Sequence, residues 1–464
     1  MRTIKQKVYH SRSYKYVLIG VLILFLFCIL FKCCSTDSYN SVSQIRYNNL
    51  TYPDKPNYLV DIDTNDIRIS PKDPLKRKKL NGVLNVYLQD SLDVVSFCKK
   101  LADSDTSQVF EVNFYAQEYN SVQFKILEEE QSSFIRYLES NFNTDIKFIL
   151  EEWIFSSSNV AFNDELFSQK DNYWFYEYIG LPAVWEKETG NEDVLIAVID
   201  DGFDKDHLEL YDQFYKPWNV YDYSGNIDYK GGKSHGTHVS GTVVANADNE
   251  KGIAGVAPGC RVVPVQVANE QGVISMTSVI NGIFYALKND VDIINISLAL
   301  SLPGVSNLSS IEQEIIGEQF LKSEERLWNE IFRIADKEGV IVVQAAGNDN
   351  VKANVDPMKR SKYSIVVGAL DRNGMKASFS NYGKAVDIYA PGVDILSTTP
   401  EDNFMNMDGT SMASPIVSGS IALLKSKNKS LTRKDIIRGI NSSTKRLGMF
   451  GKPVLNIEEL YNSI

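Results

Sequence analysis

The sequence predicts an α/β protein in which a parallel sheet forms the C-terminal domain and a smaller α+β module precedes it. Two observations support this fold class. Five apolar runs after residue 173 are nearly continuous, as in strands buried on both faces, and helical patterns separate several of them. Before them, residues 83–150 alternate strand and helix periodicity in the order β-α-β-β-α-β. The apolar runs are residues 194–199, 262–267, 293–296, 340–345 and 365–367.

The periods of the apolar residues define the elements of the small module. Phe110, Val112 and Phe114 alternate as in a strand, whereas Phe134, Leu138 and Phe142 recur at helical spacing. The predicted elements are strand 83–88, helix 94–102, strands 110–114 and 122–126, helix 134–142 and strand 146–150. This ferredoxin-like order occurs in many small domains, so it does not indicate a function by itself.

The composition is that of a globular protein: 44% of the 464 residues are hydrophobic and 23% are charged. A largely disordered chain is therefore excluded. The 48 Lys and Arg against 59 Asp and Glu leave a net charge of -11, which argues against a nucleic-acid partner because duplex binding depends on cations. The 4 His and 5 Cys give little material for a metal centre or a disulfide framework. We interpret Cys98 and Cys260 as small buried hydrophobes.

An apolar run at residues 17–31 indicates export. Basic residues precede it and no acidic residue appears before Asp37, so the positive-inside rule keeps the first residues in the cytoplasm and sends the rest across the membrane. The length of the run is intermediate between that of a signal-peptide core and that of a helix that spans a membrane. Three outcomes are therefore open: a retained anchor, a cleaved signal peptide, or lipidation of Cys33 or Cys34. We favour the anchor, because no Ala-x-Ala-like site follows and Lys32 precedes the cysteines.

Changes in composition and period divide the chain into five predicted segments. Residues 36–80 are rich in Asn, Asp, Tyr and Pro and end in a basic run, which is typical of a stalk; residues 156–172 lack periodicity, which is typical of a linker. The segments are a basic segment with a signal or anchor helix (1–35), the stalk (36–80), the α+β module (81–155), the linker (156–172) and the parallel-sheet domain (173–464).

Three polar motifs fall where strands of the sheet are predicted to end or helices to begin. Asp200 directly follows an apolar strand, and His235 and Ser411 each stand at the start of a predicted helix, with a glycine one residue after His235 and one two residues before Ser411. In such sheets ligands bind beyond the carboxyl ends of the strands. Each motif also has an ordinary explanation, as a loop start or a helix cap. Their order along the chain, Asp, His, Ser, is nevertheless that of one known catalytic triad.

Over residues 174–441 the sequence resembles the subtilisin-like serine peptidases. Four motifs carry the resemblance in the order that the family has, which argues against a chance match. They are Ile199-Asp200-Asp201-Gly202, His235-Gly236-Thr237-His238, Ala345-Ala346-Gly347-Asn348 and Gly409-Thr410-Ser411-Met412-Ala413-Ser414-Pro415. The resemblance implies a monomeric serine endopeptidase that acts on proteins or peptides and requires no cofactor for its chemistry.

The resemblance assigns chemical roles to four residues. Ser411 is the expected nucleophile, His235 the base that takes its proton, and Asp200 the acid that orients the imidazole. The side-chain amide of Asn348 and the backbone N–H of Ser411 are expected to stabilise the negative charge that develops on the carbonyl oxygen.

Two further carboxylates are candidates for substrate recognition. Asp201 is expected at the cleft and Asp349 near the first pocket; in the processing branch of the family such acids accompany a preference for basic residues before the cut. Exposed carboxylates without a substrate role are the alternative. Asp200 rather than Asp201 is assigned to the triad because it directly follows the strand, and His238 and His207 are interpreted as structural.

Substrate peptides of this family lie as an added strand between two edges of the cleft. The matching edges are Gly272-Val273-Ile274 and Ser297-Leu298-Ala299, and Ala345, Ala346 and Gly347 complete the expected substrate-binding set. The second edge departs from the family, which has two glycines where Ala299 and Leu300 stand. The segment 299–339 is also longer than in minimal members, either as surface decoration or as a substrate-selecting rim.

Many members of the family bind calcium after the His helix, and this chain has oxygen ligands in the corresponding loop. The candidates for a structural calcium site are Asp248 and Asn249. A single loop does not, however, show the several convergent oxygens that calcium needs.

The resemblance also implies that the α+β module is a propeptide, which assists folding and blocks the cleft until the chain is cut between about residues 152 and 173. We therefore expect an inactive precursor of an exported peptidase of the bacterial cell envelope, membrane-anchored or secreted. Processing of bacteriocin leader peptides is the narrower role, and a general envelope protease is its alternative. A catalytically silent, membrane-tethered peptide-binding protein with the same fold is the rival from another class.

Overall fold

The computed structural model describes residues 67–69, 78–90, 92–104, 110–157, 160–161, 174–228, 234–247, 252–302, 304–442, 445–447 and 451–464, all within one structural unit. The signal or anchor helix predicted in residues 1–35 lies outside them. No helix in these described ranges is long and apolar enough to cross a membrane.

The N-terminal module is an antiparallel sheet with two helices, in the predicted order. Its elements are β1 (Ile67–Ile69), β2 (Lys78–Leu88), α1 (Val94–Ser104), β3 (Phe110–Ala116), β4 (Ser121–Ile126), α2 (Glu128–Asn141) and β5 (Ile146–Ser157). The strands pair in the order β5-β2-β4-β3, and β1 adds to the beginning of β2. Leu84 and Phe124 of the sheet pack with Phe134 and Leu138 of α2 in one buried cluster.

A bulge in β2 brings part of the predicted stalk into this sheet. The pairing of β2 with β5 shifts register between Leu80 and Leu84, and Gly82 between them has φ +68°. A Cβ at Gly82 would lie 2.4 Å from a backbone carbonyl oxygen, so only glycine fits this turn. Residues 67–69 and 78–80 are therefore strands rather than stalk, because the sheet supplies their hydrogen-bond partners.

The C-terminal domain is built on a seven-stranded parallel sheet with helices, as predicted. In chain order its elements, after the short strand β6 (Val160–Ala161), are α3 (Trp174–Ile179), α4 (Leu181–Trp185), β7 (Leu195–Asp200), β8 (Trp218–Asn219), α5 (His235–Val244), β9 (Arg261–Gln266), β10 (Ile274–Ser275), α6 (Met276–Lys288), β11 (Ile293–Ile296), β12 (Leu298–Leu300), α7 (Ser310–Gln319), α8 (Lys322–Lys337), β13 (Ile341–Ala345), β14 (Ser364–Leu370), β15 (Ile388–Pro391), β16 (Ile395–Thr399), β17 (Asn403–Asp408), α9 (Thr410–Lys427), α10 (Arg433–Ser442), β18 (Arg446–Leu447), β19 (Lys452–Pro453) and α11 (Ile457–Ser463).

The parallel sheet has the strand order β15-β14-β13-β11-β7-β9-β8 and is buried on both faces. In β7, Ile196 and Val198 belong to the core cluster of one face, and Ala197 and Ile199 to that of the other. Apolar residues are thus needed at every position, which explains why the run shows no alternation. Asp200 ends this strand at the carboxyl edge of the sheet.

Two helices lie between the apolar runs at residues 293–296 and 340–345. The first helix, α7, ends at Gln319, and Leu321 adopts the left-handed conformation with φ 57°. The two helices pack on different parts of the domain: α7 contacts residues 353–355, whereas α8 packs against β13 and β5. The break lets each helix bury its own apolar face, which one straight helix would not do.

Candidate active site

Asp200 and His235 meet as a fully buried pair. Asp200 is the last residue of β7, and His235 is the first of α5, where Ser234 caps the helix by accepting the Thr237 N–H. The Nδ1 of His235 lies 2.7 Å from Oδ1 of Asp200, and neither side chain is exposed. A carboxylate on Nδ1 fixes the ring so that its other nitrogen, Nε2, is the one left for proton transfer.

The Asp201 side chain is directed to the start of α5 and not to the cleft, where the sequence placed it. Its Oδ1 accepts the Gly236 N–H at 3.0 Å and its Oδ2 accepts the His235 N–H at 3.2 Å. These are N–H groups that a helix leaves unpaired at its N-terminus. The residue is 6% exposed, so this carboxylate positions the His235 backbone and is not free to bind a basic side chain.

Burial and neighbouring charges shift the pKa of two of these groups, Asp201 and His235. Burial and the neighbouring Asp200 charge raise the pKa of Asp201 to about 7. Burial by itself would lower the pKa of His235, but the charge and hydrogen bond of Asp200 outweigh it and raise this pKa above its usual value. The raised pKa makes the His235 imidazole a better proton acceptor.

Ser411 is the second residue of α9 and is fully buried. Its hydroxyl donates to the Ser297 carbonyl oxygen at 3.1 Å, while the Ser297 hydroxyl donates back to the Ser411 carbonyl oxygen at 2.9 Å. The helix that carries it packs on the sheet, where the Ser418 hydroxyl donates to Asn295 Oδ1 at 2.9 Å. These contacts fix the start of α9 beside the carboxyl end of β11.

The His235 Nε2 atom is buried and has no hydrogen-bond partner. In this arrangement the Ser411 hydroxyl is bonded to Ser297 and not to the imidazole. The helices α5 and α9, which carry the two residues, pack directly against each other. The structure thus leaves one basic nitrogen of the His–Asp pair unused.

Asn348 is held by Thr410, a residue that the sequence argument did not single out. The Asn348 Oδ1 accepts the Thr410 N–H at 2.9 Å and the Thr410 hydroxyl at 2.8 Å, and that hydroxyl accepts the Gly347 N–H at 3.0 Å. With its oxygen fixed, the amide presents Nδ2 on the opposite side. Gly347 has φ +103°, and a Cβ there would lie 2.3 Å from the Asn381 amide nitrogen. In the sequence, the only indication of this role was the position of Thr410 directly before Ser411.

Both predicted cleft edges pair with the last strand of the N-terminal module. On one edge, Ile274 of β10 is opposite Phe155 of β5. On the other, Leu298 and Ala299 of β12 are opposite Ser157 and Ser156. Both pairings are antiparallel, so β5 lies between the edges as an added strand. The predicted linker therefore begins inside a strand, because the second domain supplies the pairing that its own sequence pattern does not reveal.

The chain also pairs with the active-site region after a short gap. Val160 and Ala161 form β6, which is antiparallel to β17 with Val160 opposite Asp408 and Ala161 opposite Met407. Asp408 precedes the Gly409-Thr410-Ser411 turn at the start of α9. The chain before residue 158 is therefore paired with β12, and the chain after residue 159 with β17, the strand that ends directly before this turn.

The other predicted substrate-binding residues lie beside β10 or in and after β13. Gly272 lies in a turn with φ +75°, and Val273 packs against the N-terminal module. Ala345 is the last residue of β13 and Ala346 is buried, so both support the loop that carries Asn348. Asp349, the next residue, is exposed.

His238 and His207 are buried within backbone networks, as their structural interpretation expects. The Nε2 of His238 lies 3.0 Å from the Ile395 carbonyl oxygen, and burial lowers the pKa of His238 to about 3. The Nε2 of His207 lies 3.2 Å from the Asn403 carbonyl oxygen. A neutral imidazole suits the position of His238. Cys98 and Cys260 are free and buried.

The predicted calcium ligands Asp248 and Asn249 lie outside the described residues. Within the part of the chain that the structure describes, no three His, Cys, Asp or Glu side chains form a group that could hold a metal ion.

A buried Asp–His pair, a serine at a helix N-terminus and an oriented Asn amide, all at one end of a parallel sheet, are the groups that a serine peptidase uses. Comparisons with known proteins identify the family. Residues 191–454, more than half of the chain, match the subtilase family, Peptidase_S8. The chain belongs to this family and is a subtilisin-like serine peptidase.

Individual relatives agree with this assignment. The chain is 33% identical to subtilisin DY of Bacillus licheniformis over 271 residues, which cover 57% of this chain and 89% of that protein. It is 36% identical to the major intracellular serine protease of Bacillus subtilis (strain 168) over 267 residues, which cover 55% of this chain and 76% of that protein. A crystal structure of the epidermin leader peptide processing serine protease of Staphylococcus aureus has the same fold, with a TM-score of 0.65, 21% identity, and coverage of 82% of this chain and 99% of that chain.

Proposed function

We propose that Asp200, His235 and Ser411 act as the catalytic triad of an endopeptidase that is made as an inactive precursor. The observation that carries this proposal is the state of His235: Asp200 holds Nδ1 at 2.7 Å, while Nε2 is buried without a partner. A buried basic nitrogen without a donor is costly unless a reacting group uses it. Ser411, on the helix packed against α5, is the hydroxyl donor within this site.

In the proposed reaction the Ser411 hydroxyl turns from the Ser297 carbonyl oxygen to His235 Nε2. His235 takes the proton as the Ser411 Oγ attacks the peptide carbonyl carbon, and Asp200 stabilises the imidazolium that forms. His235 then gives the proton to the leaving amine as the peptide bond breaks. Water then attacks the acyl carbon while His235 takes a proton from it. His235 gives this proton to the Ser411 oxygen as the ester bond breaks and the acid product leaves.

The negative charge on the carbonyl oxygen would be met by the Asn348 Nδ2 and the Ser411 backbone N–H. Both are fixed before reaction: Thr410 holds the Asn348 oxygen through two hydrogen bonds, and Ser411 stands in the first turn of α9. Donors that need no rearrangement stabilise the transition state more than the ground state. The fixed orientation of its side-chain amide is the reason for proposing Asn348 as an oxyanion donor.

We infer that the N-terminal module is the propeptide of this precursor. Its strand β5 pairs with both edges of the cleft in the manner of a substrate, and β6 pairs with β17, which ends directly before the Gly409-Thr410-Ser411 turn. Because residues up to Ser157 and from Val160 are paired, the bond to be cut lies between Ser157 and Val160. This narrows the range that the sequence predicted.

A buried carboxylate supports the docking of this module. Glu152 of β5 accepts the Thr277 N–H at 3.0 Å and the Thr277 hydroxyl at 2.5 Å, at the start of α6. The amide of Gln123 also donates to it at 3.1 Å. A carboxylate at a helix N-terminus satisfies unpaired N–H groups and interacts favourably with the helix dipole. The contact joins the two domains through charge as well as through strand pairing.

We infer that the natural substrates are exported peptides or proteins, with leader peptides of secreted precursors as the narrower class. The apolar segment 17–31 supports export, by an anchor or a signal. The name of the Staphylococcus aureus protein with the same fold states that it processes a leader peptide. Asp349, which is exposed beside Asn348, is the remaining candidate for a preference for Lys or Arg before the cut.

Labelling of the full chain with a fluorophosphonate tests the triad. Wild-type protein should be labelled and Ser411→Ala should not. The matched control is Ser420→Ala on the same helix, whose hydroxyl donates only to its own helix at the Ile416 carbonyl oxygen, and it should keep the label. Absence of label in wild type after removal of the module would instead favour the silent binding protein, and labelling of Ser411→Ala would show that Ser411 is not the nucleophile. N-terminal sequencing of the processed wild type should show a start at residue 158, 159 or 160.

A further inference from the structure

The outer edge of β12 is bound by two charged side chains. Lys359 Nζ donates to the Leu298 carbonyl oxygen at 2.8 Å, and Asp356 Oδ2 accepts the Leu300 N–H at 3.2 Å. Ala299, between these two leucines, is opposite β5 on the inner edge. Backbone groups of successive residues in a strand point to opposite edges. The two side chains therefore stand where a neighbouring strand would otherwise be.

Lys359 and Asp356 are themselves fixed by further contacts. Lys359 is 1% exposed, donates to Gln344 Oε1 at 3.2 Å and lies 3.9 Å from Asp356 Oδ2. Asp356 Oδ1 accepts the Met358 N–H at 2.9 Å. Because Gln344 belongs to β13, the pair connects the cleft edge to the central sheet. Burying two charges costs solvation free energy, which is recovered only when the hydrogen bonds of both are made.

We propose that Asp356 and Lys359 are positioning residues that hold β12 in the conformation that pairs with the substrate peptide. The inference rests on the proposed function, since it takes the pairing with β5 as the way in which substrates bind. Without the pair, the Leu298 carbonyl and the Leu300 N–H would be buried without partners, and the strand would shift to satisfy them. Such a shift moves the backbone of Ala299, which faces the substrate, and leaves the reacting groups in place.

The test compares Lys359→Met with wild type on a peptide and on a small reagent. The peptide is a quenched fluorescent one with the sequence of residues 151–164, which must pair with β12. The reagent is a fluorophosphonate, which reacts with Ser411 without using that edge. The full chain is incubated until its activity is constant, and active sites are counted by titration. We expect the KM for the peptide to rise about tenfold, with kcat and the labelling rate within about twofold of wild type.

Two further variants separate positioning from fold stability. Lys425 is a matched control, because it is also buried, lies 3.5 Å from Asp292 and donates to a backbone carbonyl oxygen, but at a distance from the cleft edges. Lys425→Met should lower thermal stability and leave KM unchanged. The double variant Asp356→Asn/Lys359→Met restores charge balance but not the bond to Leu298, so its KM should stay raised.

Three results would overturn the proposal: an unchanged KM in Lys359→Met, a wild-type KM in the double variant, or the same rise in KM in Lys425→Met. In each case, continued labelling of Ser411 in the same samples would leave the proposed triad intact. Loss of labelling in wild type would contradict the proposed function instead.

Discussion

The hydroxyl of Thr410 offers a sharp test of how Asn348, the proposed oxyanion donor, is oriented. Thr410→Val keeps the shape of the side chain and removes one of the two hydrogen bonds to Asn348 Oδ1, while the backbone N–H of residue 410 still donates at 2.9 Å. The same change leaves the Gly347 N–H without its acceptor at 3.0 Å. Asn348 should therefore sample orientations in which Nδ2 no longer faces the reacting carbonyl.

The expected loss follows from these contacts. A neutral hydrogen bond contributes about 1 kcal/mol, and a buried N–H left unpaired costs about 1–3 kcal/mol, part of which relaxation of the loop recovers. A loss of about 1–2 kcal/mol of transition-state stabilisation lowers kcat by about 5- to 30-fold. Removing the donor itself in a subtilisin costs about 10²- to 10³-fold, a value measured on that enzyme, so Thr410→Val should have the smaller effect.

The assay is a kinetic double-mutant cycle on one peptide substrate. Thr410→Val should lower kcat with little change in KM, and Thr410→Val/Asn348→Ala should be no slower than Asn348→Ala, because the hydroxyl acts through that amide. Thr242→Val is the matched control, since its hydroxyl donates to the His238 carbonyl oxygen within one helix. A double variant whose loss is the product of the two single losses, or a kcat within twofold of wild type for Thr410→Val, would refute this reasoning.

Three further predictions concern charge. Because Asp200 raises the pKa of His235, the kcat/KM of wild type should rise with pH, with a midpoint above about 6.5. Asp201→Asn removes a second carboxylate that raises this pKa, so it should move the midpoint to lower pH. An unchanged midpoint would contradict the assigned cause. Glu152→Gln weakens the docking of the module, so the cut chain should reach full activity after a shorter delay than wild type. Glu151→Gln is the control. An equal delay in the two variants would show that the buried carboxylate does not hold the module. Burial lowers the pKa of His238 to about 3, so between about pH 6.5 and pH 3 this imidazole is protonated in the unfolded state but not in the folded state. The unfolding free energy should therefore fall by about 1.4 kcal/mol per pH unit as pH decreases through this range. Denaturant titrations of His238→Gln should lack this contribution to the slope.

The sequence alone determined the elements of the fold and the candidates for the reacting groups. Asp200 could be placed because a doubly buried strand needs apolar residues at every position, and the first polar residue after it must mark the strand end. His235, Ser411 and Asn348 followed from motif order and family resemblance. Six of the seven elements of the N-terminal module were readable because strand and helix periods are properties of neighbouring residues.

Only the tertiary structure decided which partners those residues meet. Ser156 and Ser157 carry no strand pattern, yet they form a strand because β12 offers them an edge. Asp201 faces the N-terminus of α5 because its carboxylate accepts two backbone N–H groups there. Lys359 brings its charge to a cleft edge that is distant in the sequence. Pairing edges and unsatisfied donors are supplied by distant parts of the chain, so no local pattern of residues specifies them.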